Sequence, residues 1–144
     1  MVDIPNGLWP ESNILVGGQP DDAAFRAAQD AGFKTIINLR GVGEPGTEQQ
    51  PGLMYTLGFT YHHLPINGPQ SINLEAAKTL AGLIEGAERP LMIHCASGNR
   101  VGALFALIAH GVGGKDADES MEVGLSAGLT GLAPFVRSLL VDRN

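Results

Sequence analysis

Short apolar runs of strand length alternate with helix-type patterns along this chain. The clearest run, residues 34–39, contains Ile36 next to Ile37, and this continuity indicates a strand buried on both faces, as in the middle of a parallel sheet. Four runs are predicted to form strands: residues 13–17, 34–39, 59–66 and 91–94.

Helical patterns occupy the intervals between these runs. Four alanines at helical spacing predict a helix that begins at Asp21 or Asp22 and is capped by Gly32. An apolar stripe predicts a second helix over residues 71–87, with Asn73 or Ser71 as its cap. The other predicted helical segments are a short turn in 53–58, the run 101–111, the region 116–128 and a last helix within 132–142. Residues 41–52, rich in Gly, Pro and Glu, are predicted to be a loop.

This alternation of strand and helix predicts the α/β class. The expected fold is a three-layer sandwich, with a mostly parallel central sheet of four to five strands flanked by helices. The 144 residues are of ordinary single-domain size and contain no evident linker or repeat, so one domain over residues 1–144 is expected.

Charge and cysteine content exclude several functions. Nine Lys and Arg against fifteen Asp and Glu give a net charge of −6, which predicts no nucleic-acid partner and no attraction to an anionic membrane. The N-terminus lacks a signal-peptide pattern, and no apolar run is long enough to span a bilayer, so a cytoplasmic protein is expected. A single cysteine excludes an intramolecular disulfide and the multi-cysteine zinc patterns.

No metal or other cofactor is expected. His62 and His63 would point to opposite faces of their predicted strand, and His110 is distant in sequence, so the histidines form no ligand pattern. The sequence does not decide the oligomeric state.

The only cysteine, Cys95, lies between the predicted strand 91–94 and a predicted apolar helix. Open α/β sheets bind ligands outside the carboxyl ends of their strands. A helix N-terminus at the same place offers unpaired amides and partial positive charge, and Arg100 adds a planar cationic fork that suits a tetrahedral oxyanion. Because these groups favour a thiolate, Cys95 is predicted to be a nucleophile and residues 96–99 to surround an anion.

The segment HCASGNRVG resembles the signature loop of the cysteine-based protein phosphatase superfamily, in which His-Cys, five residues and Arg wrap a phosphate. The order and spacing of ILVGGQPD, AGFKTIINLR and GFTYHHLPI resemble the bacterial atypical dual-specificity-like phosphatases over roughly residues 8–110. More narrowly, the chain is similar to a bacterial phosphatase-like domain that also occurs fused to metallo-β-lactamase-like hydrolases.

This resemblance implies a tyrosine-phosphatase-like fold, an anionic or phosphorylated substrate, and hydrolysis of phosphate monoesters through a cysteinyl-phosphate. It makes Cys95 and Arg100 the catalytic residues, with His94 supporting the loop. The implied phosphate-binding residues are Ala96, Ser97, Gly98, Asn99 and Arg100.

Two departures from the phosphatase pattern keep alternatives open. Only four residues separate Cys95 from Arg100, as in rhodanese-like sulfurtransferases, and Val101 stands where the family usually has Ser or Thr. A sulfurtransferase that uses a Cys95 persulfide is therefore the alternative, followed by a pseudophosphatase that binds phosphate without turnover.

The sequence offers no clear general acid. The loop after residues 59–66 carries Asn67 where dual-specificity relatives have Asp, so Glu44 and Glu48 on the flexible 41–52 loop are the possible acids. Arg40, at the end of a central strand, is predicted either to line the anion site or to pair with Glu44 or Glu48. With no placed acid, weak activity toward activated esters is expected.

Overall fold

The computed structural model describes residues 2–140 of the chain. Within them the chain forms five strands and six α-helices, with a single 3-10 turn at Pro69–Ser71. In chain order the elements are β1 (Leu8–Glu11), β2 (Ile14–Gly17), α1 (Asp22–Asp30), β3 (Thr35–Asn38), α2 (Gln50–Leu57), β4 (Thr60–His63), α3 (Leu74–Gly86), β5 (Leu91–His94), α4 (Asn99–Gly111), α5 (Ala117–Ser126) and α6 (Ala133–Leu139).

The strands form one sheet in the order β1-β2-β5-β3-β4. Strands β2, β5, β3 and β4 are parallel, and β1 pairs antiparallel with β2 at one edge. The register pairs Gly17 and Asn38 with His94, and Asn38 also with His63, so the carboxyl ends of four strands meet in one row. This row is where the site forms.

Side chains alternate between two hydrophobic clusters, one on each face of the sheet. Ile36 and Met92 pack with α1 and α2, whereas Ile37 and Ile93 pack with α3 and α4. Burial on both faces explains the continuous apolar runs in β3 and β5. The predicted three-layer α/β sandwich with a mostly parallel sheet is therefore confirmed.

Local capping signals decide several helix ends. Asp21 caps α1 by accepting the amide of Ala24 at 2.8 Å, and Asn73 caps α3 by accepting the amide of Ala76 at 2.9 Å. The predicted last helix within 132–142 is observed as α6, while residues 141 and 142 lie outside the described residues.

Two elements differ from the sequence prediction. Helix α2 begins at Gln50 and includes Pro51 and Gly52, which were predicted to belong to the preceding loop. A proline is tolerated in the first helical turn, because the amide that it lacks would have no partner there. Strand β1 was not predicted. Its Pro10 is tolerated at a sheet edge, and its Trp9 packs on Phe33 with ring centroids 6.1 Å apart.

Helix α4 carries the site at its N-terminus and is packed tightly along one side. A Cβ atom at Gly102 would lie 2.0 Å from the backbone nitrogen of Leu129, so glycine permits the close approach of α4 to the segment after α5. No helix within residues 2–140 combines the length and the apolar character needed to cross a membrane.

Candidate active site

Cys95 follows β5 directly and lies at the base of a tight turn into α4. Its Sγ accepts a hydrogen bond from the Gly98 amide at 3.0 Å, which Gly98 can offer because its φ of 97° is left-handed. The residue is only 1% exposed. The geometry places the sulfur at the N-terminus of α4, the positive end of the helix dipole.

The turn is held from both sides. Backbone hydrogen bonds join the Cys95 amide to Gly17 and the Ala96 carbonyl to Gln19. Ala96 and Ser97 are exposed, and the Ser97 carbonyl accepts from the Asn6 side chain at 2.9 Å. Asn99 uses its side-chain oxygen to accept the amides of Thr130 and Leu132, so the side chain of this predicted anion-binding residue ties α4 to the segment before α6.

Arg100 lies in the first turn of α4, and its guanidinium forms a two-point ion pair with Glu44. The distances are 2.7 Å from Nη1 to Oε2 and 3.0 Å from Nη2 to Oε1, and Nη1 also donates to the Ile66 carbonyl at 3.1 Å. The Glu44 hydrogen bond raises the pKa of Arg100, and Cys95 contributes in the same direction. Arg100 is therefore a fixed cation beside the sulfur.

Glu44 is shared between two arginines. Besides Arg100, it pairs with Nε of Arg40 at 3.3 Å and accepts the Gly41 amide. The hydrogen bond from Arg100 is the main cause that lowers the pKa of Glu44 from 4.5 to about 2, against a smaller opposing effect of burial. The carboxylate is consequently ionised at neutral pH and holds no proton for a leaving group in this arrangement.

The structure brings Arg40 and Glu44 together with Arg100 but does not pair Glu48 with them. Arg40 pairs with Glu44, which is one of the two roles that the sequence suggested for it, and it lies next to the Arg100 ion pair. Glu48 is exposed on the same loop and is not a partner in either of these ion pairs.

His94 lies beneath the turn and is completely buried. Its Nδ1 is 3.2 Å from the Cys95 carbonyl oxygen, and its Nε2 is 2.9 Å from the side-chain nitrogen of Gln50. Burial is the main cause that lowers the pKa of His94 from 6.5 to about 4, so the ring is neutral at pH 7.

Two glutamines that the sequence did not indicate belong to the site. The Gln19 side chain bonds both Gln50 and Arg40, at 3.2 and 2.9 Å. They border a cavity of about 410 Å³ whose lining also includes Arg40, Phe25 and Leu53. No local motif marks either glutamine, and Gln50 lies in the stretch that composition assigns to a loop.

Comparison with known structures supports the fold. A structure from Neisseria meningitidis, provisionally classed as a phosphatase, has a TM-score of 0.73 at 24% identity and covers 92% of this chain and 96% of its own. The core catalytic domain of the PP-IP phosphatase SIW14 from S. cerevisiae, solved with citrate, has a TM-score of 0.64 at 17% identity, with 96% and 88% covered.

Sequence comparison gives the family. A beta-lactamase hydrolase-like protein of Agrobacterium fabrum is 33% identical over 98 residues, which are 65% of this chain and 22% of the relative. The chain thus spans only about a fifth of the length of the curated relatives that it matches. The model of the family described as "Polymorphic toxin system, DSP-PTPase phosphatase" matches residues 16–112, which include the whole turn from Cys95 to Arg100. The chain belongs to this DSP-PTPase phosphatase family.

Proposed function

We propose that this protein is a cysteine-dependent phosphatase that hydrolyses phosphate monoesters through a cysteinyl-phosphate intermediate. The observation that supports it best is the Gly98 amide on the Cys95 sulfur at the N-terminus of α4, with the Arg100 guanidinium beside it. An amide, a helix terminus and a fixed cation all favour a thiolate and an incoming dianion.

In the proposed first step the Cys95 thiolate attacks phosphorus. A sulfur–phosphorus bond forms, the ester P–O bond breaks, and the alcohol leaves with its electron pair and takes up a proton. Water then attacks the phosphorus, which releases inorganic phosphate and returns the thiolate. Arg100 binds the phosphoryl oxygens while Glu44 holds its guanidinium in position.

The leaving group determines which substrates turn over. Glu44 can serve as the acid only after its carboxyl leaves both arginines, and Glu48 only if the loop brings it over the turn. A well-placed acid contributes about 10²–10⁴ in rate. The proposal therefore favours aryl phosphates and other esters whose alcohols leave without protonation.

The second step is expected to be slow. Val101, which follows Arg100, is fully buried in the core and has no hydroxyl that could assist the departure of the thiol. The phosphoenzyme should accumulate, and release of the aryl alcohol should show a burst before the steady state.

The direct test is rapid-mixing hydrolysis of an aryl phosphate by the wild type, Cys95→Ser and Cys95→Ala. A burst equal to the enzyme concentration, lost in both variants, supports the proposal. A further variant, Arg100→Lys, should slow the burst. Arg137→Lys is its matched control, because Arg137 forms an exposed ion pair with Asp118 at 2.7 Å. Equal hydrolysis by wild type and Cys95→Ala would refute the nucleophile.

Sulfur transfer is the second candidate that we propose, because one observation is compatible with it. The carboxylate nearest the site, Glu44, is ionised, and a Cys95 persulfide that passes its outer sulfur to a thiol needs no acid for an alcohol. The four-residue turn agrees with this chemistry. Assays with thiosulfate and a thiol acceptor, run beside the aryl phosphate, separate the two functions. Silence in both, with phosphate raising the Tm, would identify a phosphate-binding pseudophosphatase.

A further inference from the structure

A chain of polar side chains runs under the site from Arg40 to Cys95. Arg40 Nη1 contacts Gln19 Oε1 at 2.9 Å, Gln19 Nε2 contacts Gln50 Oε1 at 3.2 Å, and Gln50 Nε2 contacts His94 Nε2 at 2.9 Å. His94 Nδ1 then lies 3.2 Å from the Cys95 carbonyl. Arg40, Gln50 and His94 are each less than one-tenth exposed, so the chain is largely shielded from water.

The two ends of this chain decide its direction. An arginine can only donate and a carbonyl oxygen can only accept. Each amide must therefore accept through oxygen on the Arg40 side and donate through nitrogen on the Cys95 side. A neutral imidazole has one donor and one acceptor, so His94 carries its proton on Nδ1 and accepts the Gln50 amide at Nε2.

The direction of these hydrogen bonds sets the orientation of the first peptide of the turn. In a trans peptide the C=O and the following N–H point in opposite directions. When His94 Nδ1–H holds the Cys95 carbonyl, the amide of Ala96 is directed to the opposite side of that peptide, away from the buried ring. His94 therefore orients the first peptide of the predicted anion-binding turn, and the orientation of the ring depends on its partner at Nε2.

We infer that Gln50 is a positioning residue for the nucleophile turn, because its buried amide keeps the His94 ring in the orientation and protonation that orient the Cys95–Ala96 peptide. Its kinetic consequence rests on the proposed role of Cys95, whereas the hydrogen-bond assignment does not. Gln50 reaches this place from the first turn of α2, in the layer that packs on the other face of the sheet from α4.

The closing experiment reads the imidazole nitrogens directly. In ¹⁵N-labelled wild type, long-range ¹H–¹⁵N spectra should show His94 protonated on Nδ1 only, with a ¹⁵N–¹⁵N coupling across the bond from Gln50. A proton on Nε2 in the wild type would overturn the inference, whatever the enzymatic activity is. Gln50→Glu should place a proton on Nε2, since a carboxylate can only accept.

The variant Gln50→Met removes the donor while keeping an unbranched side chain of similar length. We expect alkylation of Cys95 by iodoacetamide and hydrolysis of an aryl phosphate each to fall roughly 10-fold, as small misplacements of reacting groups commonly cause. Gln49→Met is the matched control, because Gln49 borders the same cavity but is exposed and makes no side-chain cap bond.

Two outcomes of the variants would overturn the inference. The first is wild-type alkylation and hydrolysis in Gln50→Met, and the second is a wild-type imidazole spectrum in Gln50→Glu. If Gln50→Met does not fold, the wild-type and Gln50→Glu spectra still decide. Absence of hydrolysis in the wild type as well as in every variant, with the spectra and alkylation as expected, would refute the phosphatase proposal alone.

Discussion

Acidification should destabilise this protein through the buried ring of His94. In the unfolded chain an imidazole takes up a proton below its ordinary pKa of 6.5, whereas burial lowers the pKa of the folded His94 to about 4. Between these two values the unfolded state binds more protons than the folded state. The free energy of unfolding therefore falls as the pH falls from 6.5 towards 4.

The size of the effect follows from the difference between the two pKa values. A difference of about 2.5 corresponds to about 3 kcal/mol of stability that is present above pH 6.5 and is lost by pH 4. Because small domains are stable by only about 5–15 kcal/mol, this single ring accounts for a substantial share. Solvent screening does not reduce the figure much, since His94 is completely buried.

Urea denaturation at pH 7, 6, 5 and 4 and constant ionic strength measures the loss. The comparison variant is His94→Asn, whose amide can still donate to the Cys95 carbonyl but does not titrate. The loss between pH 7 and 4 should be about 3 kcal/mol larger in the wild type than in the variant. Equal losses, or an NMR titration in which His94 protonates near 6.5, would refute the reasoning.

Three further predictions concern the ion pairs and the packing of α4. Glu44→Gln should reduce the stability that the protein loses below pH 4.5 by about 1 kcal/mol. The low pKa of Glu44 stabilises the folded state above pH 4.5, and this stabilisation disappears towards pH 2. Urea denaturation at pH 5 and pH 3 measures the loss, and an equal loss in wild type and variant would contradict the prediction. Arg100→Lys should weaken binding of inorganic phosphate at least about 10-fold by calorimetry, since one ammonium cannot both pair with Glu44 and bind the phosphate oxygens as the planar guanidinium can. Arg137→Lys should bind like the wild type. Gly102→Ala should lower the free energy of unfolding by about 3 kcal/mol, because the added Cβ would meet the Leu129 backbone. Gly82 has open space around it, so Gly82→Ala should raise the free energy of unfolding by about 0.5–1 kcal/mol. Similar values for the two variants would show that α4 can move aside.

Local signals explain why much of the fold was predictable. The apolar runs of β3 and β5 report burial on both faces, and the side chains of Asp21 and Asn73 cap the helices that follow them. These features depend on neighbours in sequence, so a reader of the sequence can find them. Strand β1 and the first turn of α2 were missed, because proline and glycine mark turns more often than they occur in such elements.

The sequence by itself determined the α/β layering and the placement of one cysteine between a strand and a helix, because periodicity and capping act over a few residues. Only the tertiary structure decided which distant groups meet at that cysteine. Glu44 reaches Arg100 across 56 positions of the chain, and Gln50 reaches His94 across 44. The parallel register of β3 and β5 brings these groups to the carboxyl ends of the strands. There the hydrogen bond from Arg100 keeps a proton off Glu44, and burial keeps the ring of His94 neutral.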